Sequence, residues 1–444
     1  MTAFSAEPLR SAFTGSILVD GDEGFAAFPF AVGAPSVVVR PETVDDVTSA
    51  LLLARQNTLA VSVRSGGHSG GAWTSTAGGL VLDMSAFADI DVDGEFVTIG
   101  TGSTWGAVAA ALQPHGLAIS SGDTKSVGVG GLTLGGGLGW LVRKYGLALD
   151  SLVAARIVTA NGDLVTASAG QNAELFWAIR GGGGNFGVVL DFTFRARRLD
   201  GVVHGVLALG GDLAVTIRGV RDVLRSAPEE LNVTLMRFPA MGGEPAGAPS
   251  LHVLWAGSDL DEAMAAIQPL LDLPGVTTDG VTAKPYADAL EDPHLPPPGT
   301  PVPTMVGNNG WLPELSDAAV EAIAAMAGQM PSSMLVIRFL LGAFNRVPAD
   351  STAFGWRDAE ALVMAVAFLP PGADAALVEQ TEAMWQPVAG FTVGTYGNFA
   401  ATAGERIVTL MYPPQTRARL ELVKREWDPK NLFNQNQNVG PPTI

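Results

Sequence analysis

The chain has 444 residues, of which 47% are hydrophobic and 16% charged, and 44 acidic residues outnumber 26 basic ones. The resulting net charge of −18 disfavours a nucleic-acid partner, because an acidic surface repels phosphate backbones. The absence of cysteine excludes disulfides, thiolate metal sites and cysteine nucleophiles, and we expect no metal centre. No apolar run reaches the roughly 18 residues of a membrane span, and the first residues lack a signal-peptide pattern. We therefore expect a cytoplasmic protein without a membrane partner, and the length predicts two domains.

The first 200 residues predict short strands and helices separated by glycine-rich turns. A helix is expected to begin after Pro41, because Thr43 and Asp46 have the spacing of a capping box. The Asn161-Gly162 pair is typical of a hairpin turn between strands at 152–159 and 164–167. Further strands are predicted at 36–40, 60–64, 79–83, 96–100 and 186–195, and further helices at 104–115 and 174–180. The mixture predicts an α+β domain that ends near residue 200.

Beyond residue 200 the glycine-rich loops become rarer and longer helical patterns appear. Helices are predicted at 317–329 and at 415–427, where the Asp428-Pro429 pair ends the second one. Six of the eleven residues at 293–303 are proline, which predicts a stiff, extended connector. A role in covering the substrate is the alternative for this segment.

The segment VRSGGHSGGAW at 63–73 permits two interpretations. Its Gly67-His68-Ser69-Gly70-Gly71 run fits the G-x-S-x-G elbow of a serine hydrolase. An elbow requires a helix after the serine, and the following GGAWTSTAGG has no helical period. A triad histidine should also come late in the chain, yet the last one is His294, inside the proline-rich segment. The hydrolase interpretation is therefore disfavoured, which leaves His68 as the candidate functional residue.

Two further glycine clusters, at 122–139 and 182–187, resemble nucleotide-binding loops only in part. The chain contains no Gly-Lys pair, so a P-loop is excluded. The second cluster fits G-x-G-x-x-G, but a predicted helix precedes it and a strand follows, which is the reverse of a Rossmann site. Three loops with few side chains in one domain would let the backbone approach a ligand closely. Their successive backbone amides could also form a nest that binds a pyrophosphate. Tight turns and packing are the alternative explanation of these glycines.

Four segments together resemble the berberine-bridge-enzyme-like FAD-linked oxidases of the vanillyl-alcohol-oxidase superfamily. They are VRSGGHSGGAW, SSGDTKSVGVGGLTLGGGLGWLVRKYGLALDSL, ELFWAIRGGGGNFGVV, and the pair YGNFA and REWDPKNLFNQNQNV. The resemblance implies FAD as cofactor and a two-domain α+β fold of the PCMH FAD-binding type. It implies an FAD-binding domain over residues 1–200, with its core at about 31–200, and a substrate domain over 201–400. The substrate domain would be built on an antiparallel sheet covered by helices, and residues 401–444 would return to the FAD-binding domain.

The resemblance also assigns cofactor-binding residues. It implies that His68 is bonded through its imidazole to the 8α-methyl group of the flavin, and a neutral imidazole in a glycine-rich loop is a competent nucleophile. Thr124 stands where many members have a second linking cysteine, so the chain resembles the singly linked members. Val127 matches a position that influences oxygen access, and the small side chain favours an oxidase. The other implied cofactor-binding residues are Val39, Pro41, Arg64, Ser65, Gly66, Gly67, Ser69, Gly122, Asp123, Ser126, Gly128, Gly130, Gly131, Asn185, Gly187, Val188, Asn436 and Asn438.

The implied catalytic residues are Tyr396 and Asn398, which match a Y-x-N motif that supplies a base in alcohol-oxidising members. A tyrosine with a pKa of about 10 needs a nearby positive charge to act at neutral pH, and Arg338 and Lys125 are the candidates. A purely structural buried tyrosine is the alternative. Apolar residues of the middle domain, expected to favour an aromatic substrate, are Trp311, Trp356, Phe339, Phe344 and Met364.

The expected reaction removes hydride from a carbon that bears a hydroxyl or amino group of a small aromatic or secondary-metabolite-like molecule. Electrons would pass to O2 with release of H2O2. A dehydrogenase that uses another acceptor, and a non-redox flavoprotein that acts as a cyclase or binding protein, remain open. A monomer and a homodimer are equally compatible with the sequence.

Overall fold

The structure is a computed structural model that describes residues 10, 13–25, 33–69, 76–238, 247–292 and 303–441. The segment Gly70 to Trp73 of the first glycine-rich motif lies outside the described residues. The proline-rich segment expected at 293–303 also lies outside them, except for its last residue.

Three large sheets organise the chain. Sheet A contains β1 to β4 in the order β1-β2-β4-β3, with β2, β4 and β3 parallel and β1 antiparallel to β2. Helix α1 (Val44–Gln56) begins at Thr43, whose side chain and that of Asp46 form the expected capping box. The strands of sheet A are β1 (Ser16–Leu18), β2 (Val37–Arg40), β3 (Val61–Arg64) and β4 (Leu80–Asp83). The first glycine-rich loop therefore follows directly from the carboxyl end of β3.

Sheet B is antiparallel in the order β5-β6-β10-β8-β9. Its strands are β5 (Ile90–Asp93), β6 (Phe96–Gly100), β8 (Leu152–Val158), β9 (Leu164–Ser168) and β10 (Val188–Arg195), while β7 (Leu117–Ala118) pairs with β11 (Arg197–Arg198). The accompanying helices are α2 (Trp105–Leu112), α3 (Val129–Gly135), α4 (Val142–Tyr145) and α5 (Ala173–Ile179). The short helix α3 lies inside a segment interpreted from sequence as a loop, and Val129 on it is fully buried.

Sheet C is a seven-stranded antiparallel sheet in the order β15-β12-β14-β13-β17-β18-β16. Its strands are β12 (Val202–Leu209), β13 (Leu231–Arg237), β14 (Ser250–Trp255), β15 (Val276–Lys284), β16 (Thr304–Leu312), β17 (Met334–Phe339) and β18 (Ala361–Leu369). The helices that follow in chain order are α6 (Leu213–Leu224), α7 (Leu260–Leu271), α8 (Tyr286–Ala289), α9 (Asp317–Gln329), α10 (Ala343–Arg346), α11 (Ala375–Ala383) and α12 (Gln386–Ala389).

The two faces of sheet C have different neighbours. One face packs on α6, α7 and α9 through an apolar core that includes Val233, Val253 and Ile337. On the other face, Met236 and Val336 pack with Trp140, which precedes α4. This second face is thereby turned toward the N-terminal part of the chain.

The C-terminal segment contains the helices α13 (Glu405–Met411) and α14 (Pro414–Trp427). Leu420 of α14 packs in the same core as Phe176 of α5, so the end of the chain returns to the N-terminal part. Among the residues that the structure describes, no helix combines the length and the apolarity needed to cross a bilayer. The domain boundaries expected near residues 200 and 400 stay predictions, and sheet C begins at Val202.

Candidate functional site

A cavity of about 410 Å³ lies where the four motif segments converge. The loop after β3, the segment around α3, the loop before β10, the Tyr396 segment and the C-terminal tail each contribute a wall. These segments are separated by up to several hundred residues in sequence, so the fold alone brings them together.

Most of the predicted site residues line this cavity, and five do not. Those that line it are Arg64, Ser65, Gly66, Gly67, His68, Ser69, Gly122, Asp123, Thr124, Val127, Gly128, Gly130, Gly131, Asn185, Gly187, Tyr396, Asn398 and Asn436. Those outside the lining are Val39, Pro41, Ser126, Val188 and Asn438. Their binding roles, like those of the lining residues, stay predictions.

The side chains of Val39 and Val188 pack in an apolar core beside sheet A. Successive strand residues point to opposite faces, so the neighbour Val189 lines the cavity where Val188 does not. Sequence reasoning missed Val189, and also Thr101, Gly183, Gly184 and Gln437 among the lining residues. The alternation along β10 was the signal that could have identified Val189.

The apolar residues expected to surround a substrate lie elsewhere. Trp311, Phe339, Phe344 and Met364 are buried in cores, Trp356 packs against one of these cores, and none of the five lines the cavity. The apolar lining instead includes Leu132, Leu138 and Phe399.

Two glycine-rich segments meet backbone to backbone at the floor of the cavity. A Cβ atom on Gly66 would lie 2.3 Å from the Gly128 nitrogen, and one on Gly128 would lie 2.2 Å from the Gly66 nitrogen. Ser65 reinforces the junction, because its hydroxyl donates to the Thr101 carbonyl at 2.6 Å and accepts from the Gly130 amide at 3.3 Å. Glycine is required at both positions for the two loops to approach this closely.

His68 is exposed at the cavity, and its Nε2 atom lies 2.9 Å from the Ser126 hydroxyl oxygen. Ser126 therefore contributes by contacting His68, although it does not line the cavity. Loss of solvation beside the protein surface and the positive charge of Arg64 lower the pKa of His68 below its usual value. The imidazole is therefore predominantly neutral at pH 7 and keeps a nucleophilic lone pair.

The hydroxyl oxygen of Tyr396 receives two N–H donors. The Gly137 amide donates to it at 2.9 Å and the Asn398 side-chain amide at 3.0 Å, while Asn398 also donates to the Leu132 carbonyl at 3.2 Å. Burial raises the pKa of Tyr396, and the opposing effects of these donors and of the Arg338 charge only partly offset it. Tyr396 is therefore protonated at neutral pH.

Of the two cations predicted near Tyr396, Arg338 acts on the Tyr396 hydroxyl through its charge. Lys125 instead forms an ion pair with Asp292. The Lys125 ammonium lies 3.7 Å from the Asp292 carboxylate. Asn309 on β16, which sequence reasoning missed, fixes the Tyr396 backbone by accepting from its amide at 2.7 Å and donating to its carbonyl at 3.3 Å.

The C-terminal tail forms a wall of the cavity through Asn185. The Asn185 side chain donates to the carbonyls of Gly182 and Gln437 at 2.8 and 3.1 Å and accepts from the Val439 amide at 3.0 Å. The Asn436 side chain donates to the Gly184 carbonyl at 3.0 Å. The Asn185 side chain thus connects the C-terminal tail to the loop before β10 by hydrogen bonds.

The cavity walls fit FAD. No described heavy atom lies within 4 Å of a Cβ built on Gly131, so a side chain there would project into open space. The side-chain oxygens of Asn436 and Gln437 are buried and have no hydrogen-bond partner in the described part of the chain. Glycine-lined backbone suits a diphosphate, and unpaired acceptor oxygens suit the hydroxyl groups of a ribityl chain. The glycine-lined cavity beside the seven-stranded antiparallel sheet C is thus suited to a flavin dinucleotide.

Comparison with known proteins gives the family. The model described as "FAD binding domain" matches residues 35–168, and the model described as "Berberine and berberine like" matches residues 395–440. The uncharacterized FAD-linked oxidoreductase YgaK of Bacillus subtilis is 30% identical over 430 residues, which cover 92% of this chain and 91% of that protein. The (R)-6-hydroxynicotine oxidase of Paenarthrobacter nicotinovorans is 28% identical over 470 residues, which cover 99% of both.

The solved structure of 6-hydroxy-D-nicotine oxidase from Arthrobacter nicotinovorans superimposes with a TM-score of 0.85 at 28% identity, covering 99% of this chain and 100% of that one. The chain belongs to the berberine-bridge-enzyme-like family of FAD-linked oxidoreductases. The predicted fold class, the predicted enzyme class and the predicted FAD cofactor are confirmed.

Proposed function

We propose that the enzyme holds FAD through one covalent bond to His68 and oxidises a small, predominantly aromatic molecule at a carbon that bears a hydroxyl or amino group. The electrons then reduce O2 to H2O2, which is released. The observation that carries this proposal is the pair of N–H donors on the Tyr396 hydroxyl oxygen at the cavity wall. When bound, FAD supplies the hydride acceptor.

The proposed role of Tyr396 is to accept a proton at its hydroxyl oxygen. Donors from Gly137 and Asn398 stabilise negative charge on that oxygen, as preorganised amides do in an oxyanion hole. An alcohol substrate must lose its hydroxyl proton as the carbon loses hydride, and the deprotonated tyrosine takes that proton. An amine substrate needs only to be neutral. The raised pKa of Tyr396 keeps the deprotonated fraction small at neutral pH, so alcohol oxidation accelerates as pH rises.

The proposed role of His68 is to supply the nitrogen of the covalent link. Its lowered pKa keeps the imidazole neutral, and its exposure at the cavity makes it available. Formation of the link would remove one hydrogen from the imidazole and one from the flavin methyl group, and O2 would take up the two protons and two electrons as H2O2. Thr124 also lines the cavity but has no thiol, so a second link of the family's cysteinyl type cannot form.

The proposed substrate class and acceptor rest on the remaining lining. Leu132, Leu138 and Phe399 present apolar surface beside Tyr396, which suits an aromatic ring. Val127 lines the cavity with a small side chain, which supports access of O2.

The experiment compares the purified wild-type protein with His68→Ala. After denaturation in acid, the wild-type polypeptide should stay yellow and the variant should lose its colour. An anaerobic panel of aryl alcohols and amines should bleach the wild-type flavin, and admission of air should restore its colour with stoichiometric H2O2. Bleaching without recovery in air would instead identify a dehydrogenase with another acceptor. No bleaching with any alcohol or amine would contradict a redox function.

A further inference from the structure

The short 3-10 helix Gly397–Phe399, which begins at Tyr396, places the Asn398 side chain against the last turn of α3. The Asn398 side-chain nitrogen donates to the Leu132 carbonyl at 3.2 Å and to the Tyr396 hydroxyl oxygen at 3.0 Å. Leu132 is one of the last four residues of α3, whose carbonyls have no partner within the helix. The Asn398 amide therefore caps α3 and contacts Tyr396 at the same time.

Gly135, the last residue of α3, lies directly beneath this amide. A Cβ atom built on Gly135 would lie 2.7 Å from Cγ and 2.8 Å from Nδ2 of Asn398, and closer still to Oδ1. Unbonded heavy atoms normally stay about 3.5 Å apart, so the amide would have to move by about 1 Å. A hydrogen bond of 3.0 Å does not survive that displacement, because bonds of this kind extend to only about 3.2 Å. Any side chain at position 135 would thus separate Asn398 from Tyr396.

Neither the backbone nor the rest of the protein explains why position 135 is glycine. The neighbours Gly136 and Gly137 have φ angles of 142° and 87°, whereas Gly135 lies outside this left-handed region. Alanine at position 135 would therefore be free of backbone strain. The three heavy atoms nearest to its Cβ all belong to Asn398. The need for glycine at this position therefore comes from the Asn398 amide.

We propose that Gly135 is a positioning residue that keeps open the space in which the Asn398 amide donates to Tyr396, and that it thereby sets the rate of alcohol oxidation. The inference rests on the proposed function, in which Tyr396 accepts the hydroxyl proton of the substrate. Only the Asn398 amide and the Gly137 amide donate to the Tyr396 oxygen within the described part of the chain. Loss of one of two donors should leave the negative charge on that oxygen less stabilised.

The test compares Gly135→Ala, Asn398→Ala and the double variant as purified holoproteins. Reduction of the flavin by an aryl alcohol under argon should slow about tenfold or more in each single variant. The double variant should be no slower than Asn398→Ala, because Gly135 acts only through Asn398. Reduction by an amine, which gives up no hydroxyl proton, should stay within about twofold of the wild-type rate in all three proteins. The amount of bound FAD should not change, because the new methyl group faces Asn398.

The melting temperature gives a second measurement that does not depend on flavin reduction. The shift caused by Gly135→Ala should be less favourable when Asn398 is present than in the Asn398→Ala protein, where the space is free and alanine favours the helix. Gly328→Ala is the matched control. Gly328 is an exposed residue in the last turn of α9, and no described atom lies within 4 Å of its Cβ. This control should leave both rates of flavin reduction unchanged.

The outcomes distinguish this inference from the proposed function. A wild-type alcohol rate in Gly135→Ala, or losses that add in the double variant, would overturn the role of Gly135. Equal slowing with the alcohol and the amine would indicate general damage to the site and would also overturn it. A wild-type flavin that is bleached by amines alone would remove the proton transfer on which the role depends. A flavin that neither class of substrate bleaches would contradict the proposed function, and the melting temperatures would still decide whether Gly135 holds the Asn398 amide in place.

Discussion

The Ser126 hydroxyl oxygen lies 2.9 Å from Nε2 of His68. In a neutral imidazole one nitrogen carries the proton and the other carries the lone pair. When the hydroxyl accepts from Nε2–H, the lone pair lies on Nδ1 and is free for the proposed flavin bond. We therefore expect Ser126 to position the His68 ring, even though Ser126 lies outside the cavity lining.

Replacement of Ser126 by alanine should slow covalent attachment of FAD by roughly two- to tenfold, because one neutral hydrogen bond that orients the ring is lost. Attachment is measured on apoprotein mixed with FAD, as flavin that stays with the polypeptide after acid precipitation at timed intervals. Ser126→Thr keeps the hydroxyl and should attach FAD near the wild-type rate. Equal rates for the serine and alanine proteins would show that Ser126 does not position His68.

The pH dependence of attachment should follow the lowered pKa of His68. Since the folded-state pKa lies below the usual value of 6.5, the imidazole is already neutral above pH 6.5. The rate should be flat from about pH 7 upward and should fall only as pH drops below 6.5 into the range of the folded-state pKa. A rate that keeps rising between pH 7 and 8 would contradict a neutral His68 at pH 7. The same timed acid-precipitation assay provides the measurement.

The substitution Gly131→Ala should separate cofactor binding from folding. A Cβ on Gly131 meets no described atom within 4 Å, and alanine inside α3 is favoured over glycine by about 1 kcal/mol. The apoprotein should be as stable as the wild type or more so, while FAD binding should weaken because the methyl group occupies cofactor space. Urea unfolding and FAD titration give the two quantities. Gly170→Ala is the matched control, because Gly170 also has open space around its Cβ but lies away from the cavity.

Tyr396→Phe should lower the rate of flavin reduction by an alcohol about a hundredfold or more, which is the scale of lost general-base catalysis. Because the pKa of Tyr396 is raised above 10, the wild-type rate should rise with pH without a plateau up to pH 9, and the variant should lose this rise. Stopped-flow reduction under argon measures both. Tyr412→Phe is the control, since Tyr412 also lines the cavity but donates only to the Gly181 carbonyl, at 3.3 Å. Equal losses in the two variants would assign Tyr396 a structural role.

Lys424 and Asp428 form a fully buried ion pair, with nitrogen and oxygen 2.7 Å apart. Lys424→Met leaves the carboxylate buried without its partner and should reduce the free energy of unfolding by about 3–5 kcal/mol. Replacement of both residues, by Met and Asn respectively, should recover a large part of this loss. Urea denaturation of the three proteins measures the difference. A Lys424→Met protein as stable as the wild type would show that the pair contributes little.

Local signals in the sequence predicted the N-terminal elements well. Thr43 and Asp46 cap α1 as expected, and the Asn161-Gly162 pair separates β8 from β9. Such features depend on residues a few positions apart, which is why one sequence suffices to find them. The order of strands in sheet C had no comparable signal, because pairing of Thr234 with Arg338 joins residues about a hundred positions apart.

In the candidate site, too, the sequence indicated individual residues but not the long-range contacts between them. Motif resemblance indicated Tyr396, but its pKa depends on Gly137, which is 259 residues away in sequence and adjacent only in the fold. Arg338 was named from sequence as a possible charge near Tyr396, whereas its alignment with His252 and Thr234 required the strand register. At the start of β10, Val189 lines the cavity and Val188, the predicted residue, does not, a distinction that also depends on the strand geometry.

The Lys424 ammonium donates to the backbone carbonyls of Asn185 and Phe433 at 2.8 and 2.9 Å, so residues from both halves of the chain share one cation. During synthesis from the N-terminus, the ribosome adds residue 424 after all of sheet C, which ends at Leu369, has been made. A nascent chain therefore lacks the cavity wall formed by Phe433, Asn436 and Gln437 until the segment after α14 has left the exit tunnel. We therefore expect stable FAD binding only after these C-terminal residues have been made, and a chain truncated before Phe433 should remain apoprotein.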